Sequence, residues 1–259
     1  MEDIKVSVIT PCRNSAKTLA RCLASVQFQT HQNWEIIAVN DGSSDQTEEI
    51  LADYAAQDPR IHTFKNKGRN GAGTARNLAL LRSSGDYIAF LDSDDSWVFC
   101  KLKLQLSEML QSSQHFSFTA YKAKGPLRST FRGGRTIERE AQILRKCRVG
   151  CSTVMHIRQE PPLLMNRIKR RQDLCHWVRF IRSGHRLHYI KIPLSLYYIG
   201  SGSLSGSKLK SAVYQWIAYR KYLQISRLQS IGYMLSYIAL NLHQRLFERL
   251  GWPRTGGDF

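Results

Sequence analysis

No C-x-x-C pair occurs among the six cysteines of this 259-residue chain, and no histidine stands beside them at zinc-site spacing. Structural zinc modules are thereby excluded. Cys12, Cys22, Cys100, Cys147, Cys151 and Cys175 are expected to be free thiols of a reducing cytoplasm. No G-x-G-x-x-G follows the first apolar run, and there is no Walker lysine loop, which argues against a dinucleotide site and a P-loop NTPase. Long apolar runs are missing too: the longest nearly uncharged one, Ile231 to Leu242, is too short to cross a bilayer. Glu2 and Asp3 stand where a signal peptide would carry basic residues, so no such leader is expected. There is no internal repeat, and only Gly200–Ser207 is low in complexity. Acidic residues are scarce in one part only. Residues 1–100 hold 10 basic and 13 acidic side chains, whereas residues 101–259 hold 28 basic and 7 acidic. The overall charge of +18 calls for an anionic partner: nucleic acid, an acidic leaflet or phosphorylated substrates. Nucleic acid is disfavoured, because neither the aromatic-basic interleaving of an RNA-binding sheet nor a DNA-reading motif occurs.

What is present begins with short apolar runs alternating with helical patterns. Lys5 to Thr10 reads as a strand that Pro11 stops by removing a ladder donor. Ser15 is placed to cap a helix beginning near Lys17, with Leu19, Cys22, Leu23 and Val26 on its inner face. Strands are expected at Trp34 to Val39, Ile61 to Lys65 and Tyr87 to Leu91, with helices at Thr47 to Ala55 and Thr74 to Leu81. This β-α-β-α-β-α-β order predicts a mostly parallel, doubly wound α/β sheet with helices on both faces. Right-handed crossovers bring the polar turns Thr10–Asn14, Asn40–Asp45 and Asp92–Asp95 to one sheet edge, where ligands of open α/β sheets bind.

Three carboxylates within four residues, Asp92, Asp94 and Asp95, repel one another. A hard divalent ion is one remedy, since Mg²⁺-type ions take carboxylate and phosphate oxygens. The competing reading is a solvated turn in which Asp95 or Ser96 caps the next helix. The other turns suit a nucleotide. Asp41 can accept from a uracil imide N–H, while Gly71, Gly73 and Arg76 flank a helix start suited to a diphosphate.

Together VSVITPCRN, SVQFQT, WEIIAVNDGSSDQT, GAGTARN and GDYIAFLDSDDSW resemble the donor half of family 2 glycosyltransferases of GT-A fold, over about residues 4–104. The resemblance implies a nucleoside-diphosphate sugar, with Mg²⁺ or Mn²⁺ on its diphosphate as Lewis acid. It also implies that Thr10, Pro11 and Asn14 line base and ribose and that Asp41 meets the base. Arg76 would lie near base or diphosphate and Ser93 near ribose or phosphate. Asp94 would be the main metal contact, with Asp92 in support.

Inverting transfer needs a carboxylate to take the acceptor's proton. Beyond residue 104 the candidates are Glu108, Glu138, Glu140, Glu160, Asp173, Glu248 and Asp258. Asp173 stands apart, after Arg167, Lys169, Arg170 and Arg171 and before an apolar helical stripe. Read alone, it is equally a helix-capping aspartate neutralised by arginines. RRQDLCHWVRFIRSG resembles the family's acidic helix start followed by a tryptophan-bearing helix, with Gln172 where glutamate is commoner. That likeness makes Asp173 the general base and sets Arg171, Gln172 and Trp177 near the acceptor or donor sugar. Val149 to Met155 is then expected as a strand beside the acceptor, and Leu187 to Tyr198 as strand and turn with Pro193 marking an edge. Gly200 stands where many relatives carry arginine, which puts phosphate contact there in doubt. His185 and His188 read as ordinary surface residues rather than a metal pair.

CSTVM, RRQD and SGSLSGSKLKSAVYQWIAYRKY resemble the group that builds teichuronic acid, capsule and O-antigen, extending the likeness to about residue 225. The Q-x-x-R-W signature of processive synthases is absent, so one sugar per encounter is expected. Lys208 to Leu228 and Ile231 to Leu250 read as basic amphipathic helices, the first with Leu209, Val213, Trp216, Ile217 and Leu223 in one stripe and the second with Met234, Leu235, Ile238, Leu242 and Leu246. They either pack on the core or lie on an anionic leaflet, where a polyprenyl-diphosphate-linked acceptor would be presented. Trp252 to Phe259 reads as a loose tail.

The expected layout is a donor half (1–104), an acceptor half of the same domain (105–206) and C-terminal basic helices with a tail (207–259). The expected function is a metal-dependent, inverting, non-processive glycosyltransferase working from a UDP-sugar in the cytoplasm or at the inner membrane face. Two rivals remain: a sugar-phosphate nucleotidyltransferase, whose G-x-G-T-R loop is missing here, and a basic nucleic-acid-binding protein.

Overall fold

The computed structural model describes residues 1–67, 70–125, 129–198 and 208–249. Strands β1 (Val6–Cys12), β2 (Trp34–Asn40), β3 (Ile61–Lys65) and β4 (Tyr87–Phe90) pair in parallel, in the order β3-β2-β1-β4. Every residue of β1, β2 and β4 is buried, as the β-branched and apolar runs predict for strands covered on both faces. Alternate residues feed two cores. Val6, Val8, Ile36 and Ala38 meet α1 (Leu19–Gln27) and α2 (Thr47–Gln57) through Leu19, Leu23, Val26 and Leu51. Ile9, Ile37, Ile88 and Phe90 meet α3 (Ala72–Arg82) through Ala75, Ala79 and Leu80.

Pro11 does not end its strand. Lys5 and Ile9 accept from Tyr87 and Leu91, so odd-numbered residues of β1 turn toward β4, and pairing to β4 stops at Ile9. Pro11 therefore faces a side with no ladder left to donate to, while Cys12 still pairs with Asn40. The first helix also starts later than expected. Its N-cap is Thr18, without a side-chain cap, and the Ser15 hydroxyl is engaged with Ser93 instead.

The sheet continues without a break into the second half. There β5 (Ser96–Trp97), β6 (Phe116–Lys124), β7 (Ser129–Arg132), β8 (Val154–Ile157) and β9 (His188–Tyr198) complete the order β3-β2-β1-β4-β8-β6-β9-β5, with β7 on β6. Helices α4 (Lys101–Gln111), α5 (Glu140–Arg145) and α6 (Gln172–Arg182) cover it. Gln105 of α4 ties this half together, donating to the Ser117 hydroxyl and the Thr153 carbonyl. Beside it the fully buried Lys101 amine lies 4.3 Å over the Trp97 ring, and burial pushes it down to about 7. The stretch expected as a strand from Val149 is instead a 3₁₀ turn, Cys151–Thr153, before β8. Pro193 marks a register shift between β6 and β9 rather than an edge.

At the C-terminus, α7 (Lys208–Ile217) runs into a π turn (Ala218–Tyr222) before α8 (Arg227–Arg249). The extra residue per turn shifts the phase of the apolar stripe. Ala218, Tyr219, Leu223 and Ile225 are buried, and Tyr233 and Met234 pack on the core. Val213, Leu228, Ile231, Leu235 and Ile238 are exposed, so the apolar residues of these helices are divided between core and solvent. Gly200, the Ser201–Ser205 loop and the Trp252–Phe259 tail lie outside the described residues.

Candidate active site

The chain leaves the sheet after Leu91, whose N–H still donates to Ile9. The four residues that follow are braced on every side. Asp92 donates its N–H to the Ser152 hydroxyl at 3.1 Å and accepts on Oδ1 from Arg76 Nη2 at 2.5 Å. The Ser93 hydroxyl meets that of Ser15 at 2.7 Å, and its carbonyl accepts from Thr18. The Asp94 carbonyl accepts from Arg21, whose guanidinium stacks 3.5 Å over the Tyr198 ring. Asp95 accepts from Ser152 Oγ at 2.6 Å. Neither Asp95 nor Ser96 caps a helix, since Ser96 is already in β5 and α4 begins at Lys101.

Crowding of these acids shows in their protonation. Burial, and then the Asp92 charge, push the Asp95 carboxyl up to about 8. Asp94 is an exposed residue, yet shielding of its carboxyl from water and the Asp92 charge raise it as well. Arg76 answers in the opposite sense: burial, the largest single influence, disfavours its charge, but Asp92 with the nearby Cys151 and Asp173 together hold it above the ordinary arginine range.

Arg76 is 8% exposed and is the hinge of the site. Its Nη2 holds Asp92, and its Nη1 donates to Gln172 Oε1 at 3.0 Å. Gln172 is the first residue of α6 and Asp173 the second. One guanidinium therefore joins the carboxylates at the end of β4 to the helix start that carries Asp173. Gly73 belongs to this junction rather than to an open phosphate cradle: a Cβ there would stand 3.0 Å from Gln172 Oε1. Asp173 is half-buried and is not the cap; Arg171 holds the N-cap position with φ 68°. The neighbouring arginines go elsewhere, Arg170 to Ser211 and Arg171 to Tyr237. The Asp173 charge reaches Cys147, which burial and then Asp173 push up to about 12.

Asp41 is 2% exposed, and its carboxylate already accepts three bonds from its own chain. Asn66 Nδ2 and the Asn70 N–H meet Oδ1, and the Gly71 N–H meets Oδ2 at 2.8 Å. One acceptor direction on Oδ2 remains for a base. Asn14, with φ 47°, ties the first turn to the second by accepting from Ser44. Pro11 is buried beside it. Thr10 Oγ1 and Arg76 Nε are buried with no hydrogen-bond partner among the described residues. Trp177 does not reach this edge. It is fully buried, packed on Phe90 at 5.6 Å and Phe116 at 5.2 Å.

Ser152, Arg21 and Tyr198 are the parts that sequence reasoning missed. Ser152 falls inside the stretch expected as a strand, and Arg21 and Tyr198 are 177 positions apart. Among the described residues no group of three His, Cys, Asp or Glu side chains forms a cage for a metal. Of the three carboxylates at this edge, Asp95 is buried on Ser152, while Asp94 is exposed and Asp92 half-buried.

The model of the family described as Glycosyl transferase family 2 matches residues 7–186. The chain belongs to glycosyl transferase family 2. With that assignment the nucleotidyltransferase and nucleic-acid readings fall away, and the chain is a glycosyltransferase. Among family 2 relatives it is 35% identical over 246 residues to TuaG of Bacillus subtilis (strain 168), whose description is that of a teichuronic acid biosynthesis glycosyltransferase. That match covers 93% of this chain and 97% of TuaG. It is 31% identical to WfgD of Escherichia coli, the UDP-Glc:alpha-D-GlcNAc-diphosphoundecaprenol beta-1,3-glucosyltransferase, over 96% of this chain and 98% of WfgD. The fold is GT-A-like. S. aureus TarS in complex with UDP-GlcNAc superposes with a TM-score of 0.70 at 18% identity, covering 91% of this chain and 72% of that one. The mannosyltransferase PcManGT from Pyrobaculum calidifontis, in complex with GDP-Man and Mn2+, superposes with a TM-score of 0.68 at 14% identity, over 94% and 75%.

Proposed function

We propose that this glycosyltransferase moves one sugar per encounter, with inversion, from a UDP-sugar to a hydroxyl of a growing cell-surface glycan carried on a polyprenyl diphosphate. The observation that carries this reading is the Arg76 bridge, which holds the Asp92 end of the donor edge against the α6 start bearing Asp173. The UDP-sugar is taken up along the three strand-end turns. Thr10, Pro11 and Asn14 border base and ribose, and Asp41 accepts from the base through its remaining lone pair. Ser93 lies toward the ribose or phosphates.

The residues present fit a divalent cation, Mg²⁺ or Mn²⁺. Burial and then the Asp92 charge hold Asp94 and Asp95 above their usual range, which a cation would relieve, and such ions are commonly gripped by one or two carboxylates plus substrate phosphates. Asp94 would hold it with Asp92 in support, and when bound it would neutralise charge developing on the leaving diphosphate. Asp173 takes the proton of the acceptor hydroxyl on its carboxylate oxygen. That hydroxyl then attacks the anomeric carbon from the face opposite the diphosphate. Arg171 and Gln172 flank Asp173 and border the sugars.

The acceptor is read as lipid-linked, and the enzyme as lying against an anionic leaflet from the cytoplasmic side. No helix among the described residues is long and apolar enough to cross a membrane. Support for contact with a leaflet comes from the exposed row Leu228, Ile231, Leu235 and Ile238 on a strongly cationic half of the chain.

The deciding experiment is Asp173→Asn. Transfer should fall by about 10²- to 10⁴-fold, the range for a lost general base. UDP binding and the unfolding midpoint should stay put. Full transfer activity in a folded Asp173→Asn protein sinks the assignment.

A further inference from the structure

A cavity of about 400 Å³ opens between the segment around α5 and helix α8. Four cations line it: Arg135, Arg145, Lys146 and Arg148. Its floor and far wall are apolar, with Phe118, Ile137 and Leu240. Among the described residues no acidic side chain lines it. Among the described residues, Arg135, Arg145 and Arg148 make no ion pair. Burial and the Arg135 charge press the Arg148 guanidinium below its ordinary range, as expected of like charges facing each other. A concave site of this size suits a small molecule. Its chemistry narrows the choice. Several uncompensated guanidinium groups favour a multiply charged oxyanion, which arginine forks grip well. An inorganic ion would leave Phe118, Ile137 and Leu240 unused.

Its position narrows the choice further. Arg148 stands three residues before the Cys151–Thr153 turn, whose Ser152 braces Asp92 and Asp95. Cys147, beside Arg148, already feels the Asp173 charge. On α8, Ser236, Ala239 and Leu240 line the cavity, while the adjacent row Leu228, Ile231, Leu235 and Ile238 is exposed.

We propose that this cavity binds the acceptor's lipid carrier, with the arginines on its diphosphate and the apolar floor on its first isoprene units. The proposal rests on the lipid-linked-acceptor reading and assigns it a place: the carrier is held beside α8 while its sugar extends along residues 147–152 toward Asp173.

Farnesyl diphosphate is the probe, measured by equilibrium dialysis with the full chain, with UDP binding measured alongside. The double variant Arg145→Gln/Arg148→Gln and, separately, Ala239→Trp in the wall should each weaken farnesyl diphosphate at least tenfold. UDP affinity should stay within twofold of the unsubstituted chain. All three arginines are exposed, so their loss should not threaten the fold. Unchanged farnesyl diphosphate affinity in both variants overturns the site. Displacement of the probe by UDP overturns it too, because the probe would then occupy the donor edge. Equal affinity for inorganic diphosphate removes the lipid, and equal affinity for farnesol removes the arginines. A chain that binds the probe as expected but no UDP would count against the donor reading and leave this site standing.

Discussion

Arg76 shows why a single buried side chain can couple binding to catalysis. Its guanidinium serves two acceptors 80 positions apart in sequence, Asp92 and Gln172. Lysine, a point charge on a flexible stem, cannot reproduce that fork. In Arg76→Met both acceptors lose their donor inside the fold, which costs about 1–3 kcal/mol. Urea unfolding should show a loss of that order. Transfer should fall by about 10²-fold or more, the scale of effect that a misplacement of about 1 Å can have. A double-mutant cycle with Gln172→Leu isolates the bridge. Coupling below about 0.5 kcal/mol would mean that the two residues act independently. The acids of this edge were legible in the sequence because Asp92, Asp94 and Asp95 crowd into four positions. The bridge was not, since nothing local in GAGTARN points to a residue 96 positions later. Ser152 was hidden for the same reason: it acts through tertiary contacts alone.

At the scale of elements, α6 seats Asp173 by pressing an aromatic face onto β8 and β6. His176 and His156 lie within that face, 5.8 Å apart, among Phe90, Phe116 and Phe180. Among the described residues, both nitrogens of His176 and Nε2 of His156 are buried without a partner. Burial pushes His156 down to about 4, and burial followed by the His156 charge pushes His176 well down too. The unfolded chain binds protons on both rings below about pH 6.5, while the folded chain refuses them in that range, at His156 until about pH 4. The unfolded state therefore holds more protons in that window, and stability falls as pH falls through it. Each ring contributes up to about 1.4 kcal/mol per pH unit. In His176→Phe the slope of unfolding free energy between pH 6 and 5 should flatten by about 1 kcal/mol per unit. Parallel profiles for the two proteins would show that His176 is protonated in the native state. The seven-residue and shorter strands of the first half were readable because β-branched runs end at polar turns. Pro11 and Pro193 misled because proline was judged without its neighbours: one faces a ladder that has ended, the other a register shift. Spacing left open whether the C-terminal helices meet the core or a leaflet, and a π turn changes phase in a way that apolar spacing does not announce.

For the molecule as a whole, charge and apolar surface fall on the same part. Residues 101–259 carry 28 basic and 7 acidic side chains, and the exposed row of α8 belongs to that part. Neither feature alone holds a protein on a membrane. Basic residues near an anionic surface contribute about 1 kcal/mol each and fade within a Debye length. A buried leucine or isoleucine adds about 1.5–3 kcal/mol whatever the salt. The two contributions can be told apart by sedimentation with vesicles. Wild type should bind vesicles rich in anionic lipid at low salt and lose most of that binding near 0.5 M salt, where the Debye length is below about 8 Å. Leu235→Asp/Ile238→Asp should weaken binding at every salt concentration, by tenfold or more, while UDP affinity is unchanged. Because both side chains are exposed, the folded core should not notice the change. Equal binding to neutral vesicles would remove the basic surface from the explanation. Undiminished binding by the double variant would move the contact away from α8, and with it the geometry that brings a lipid carrier to the arginines.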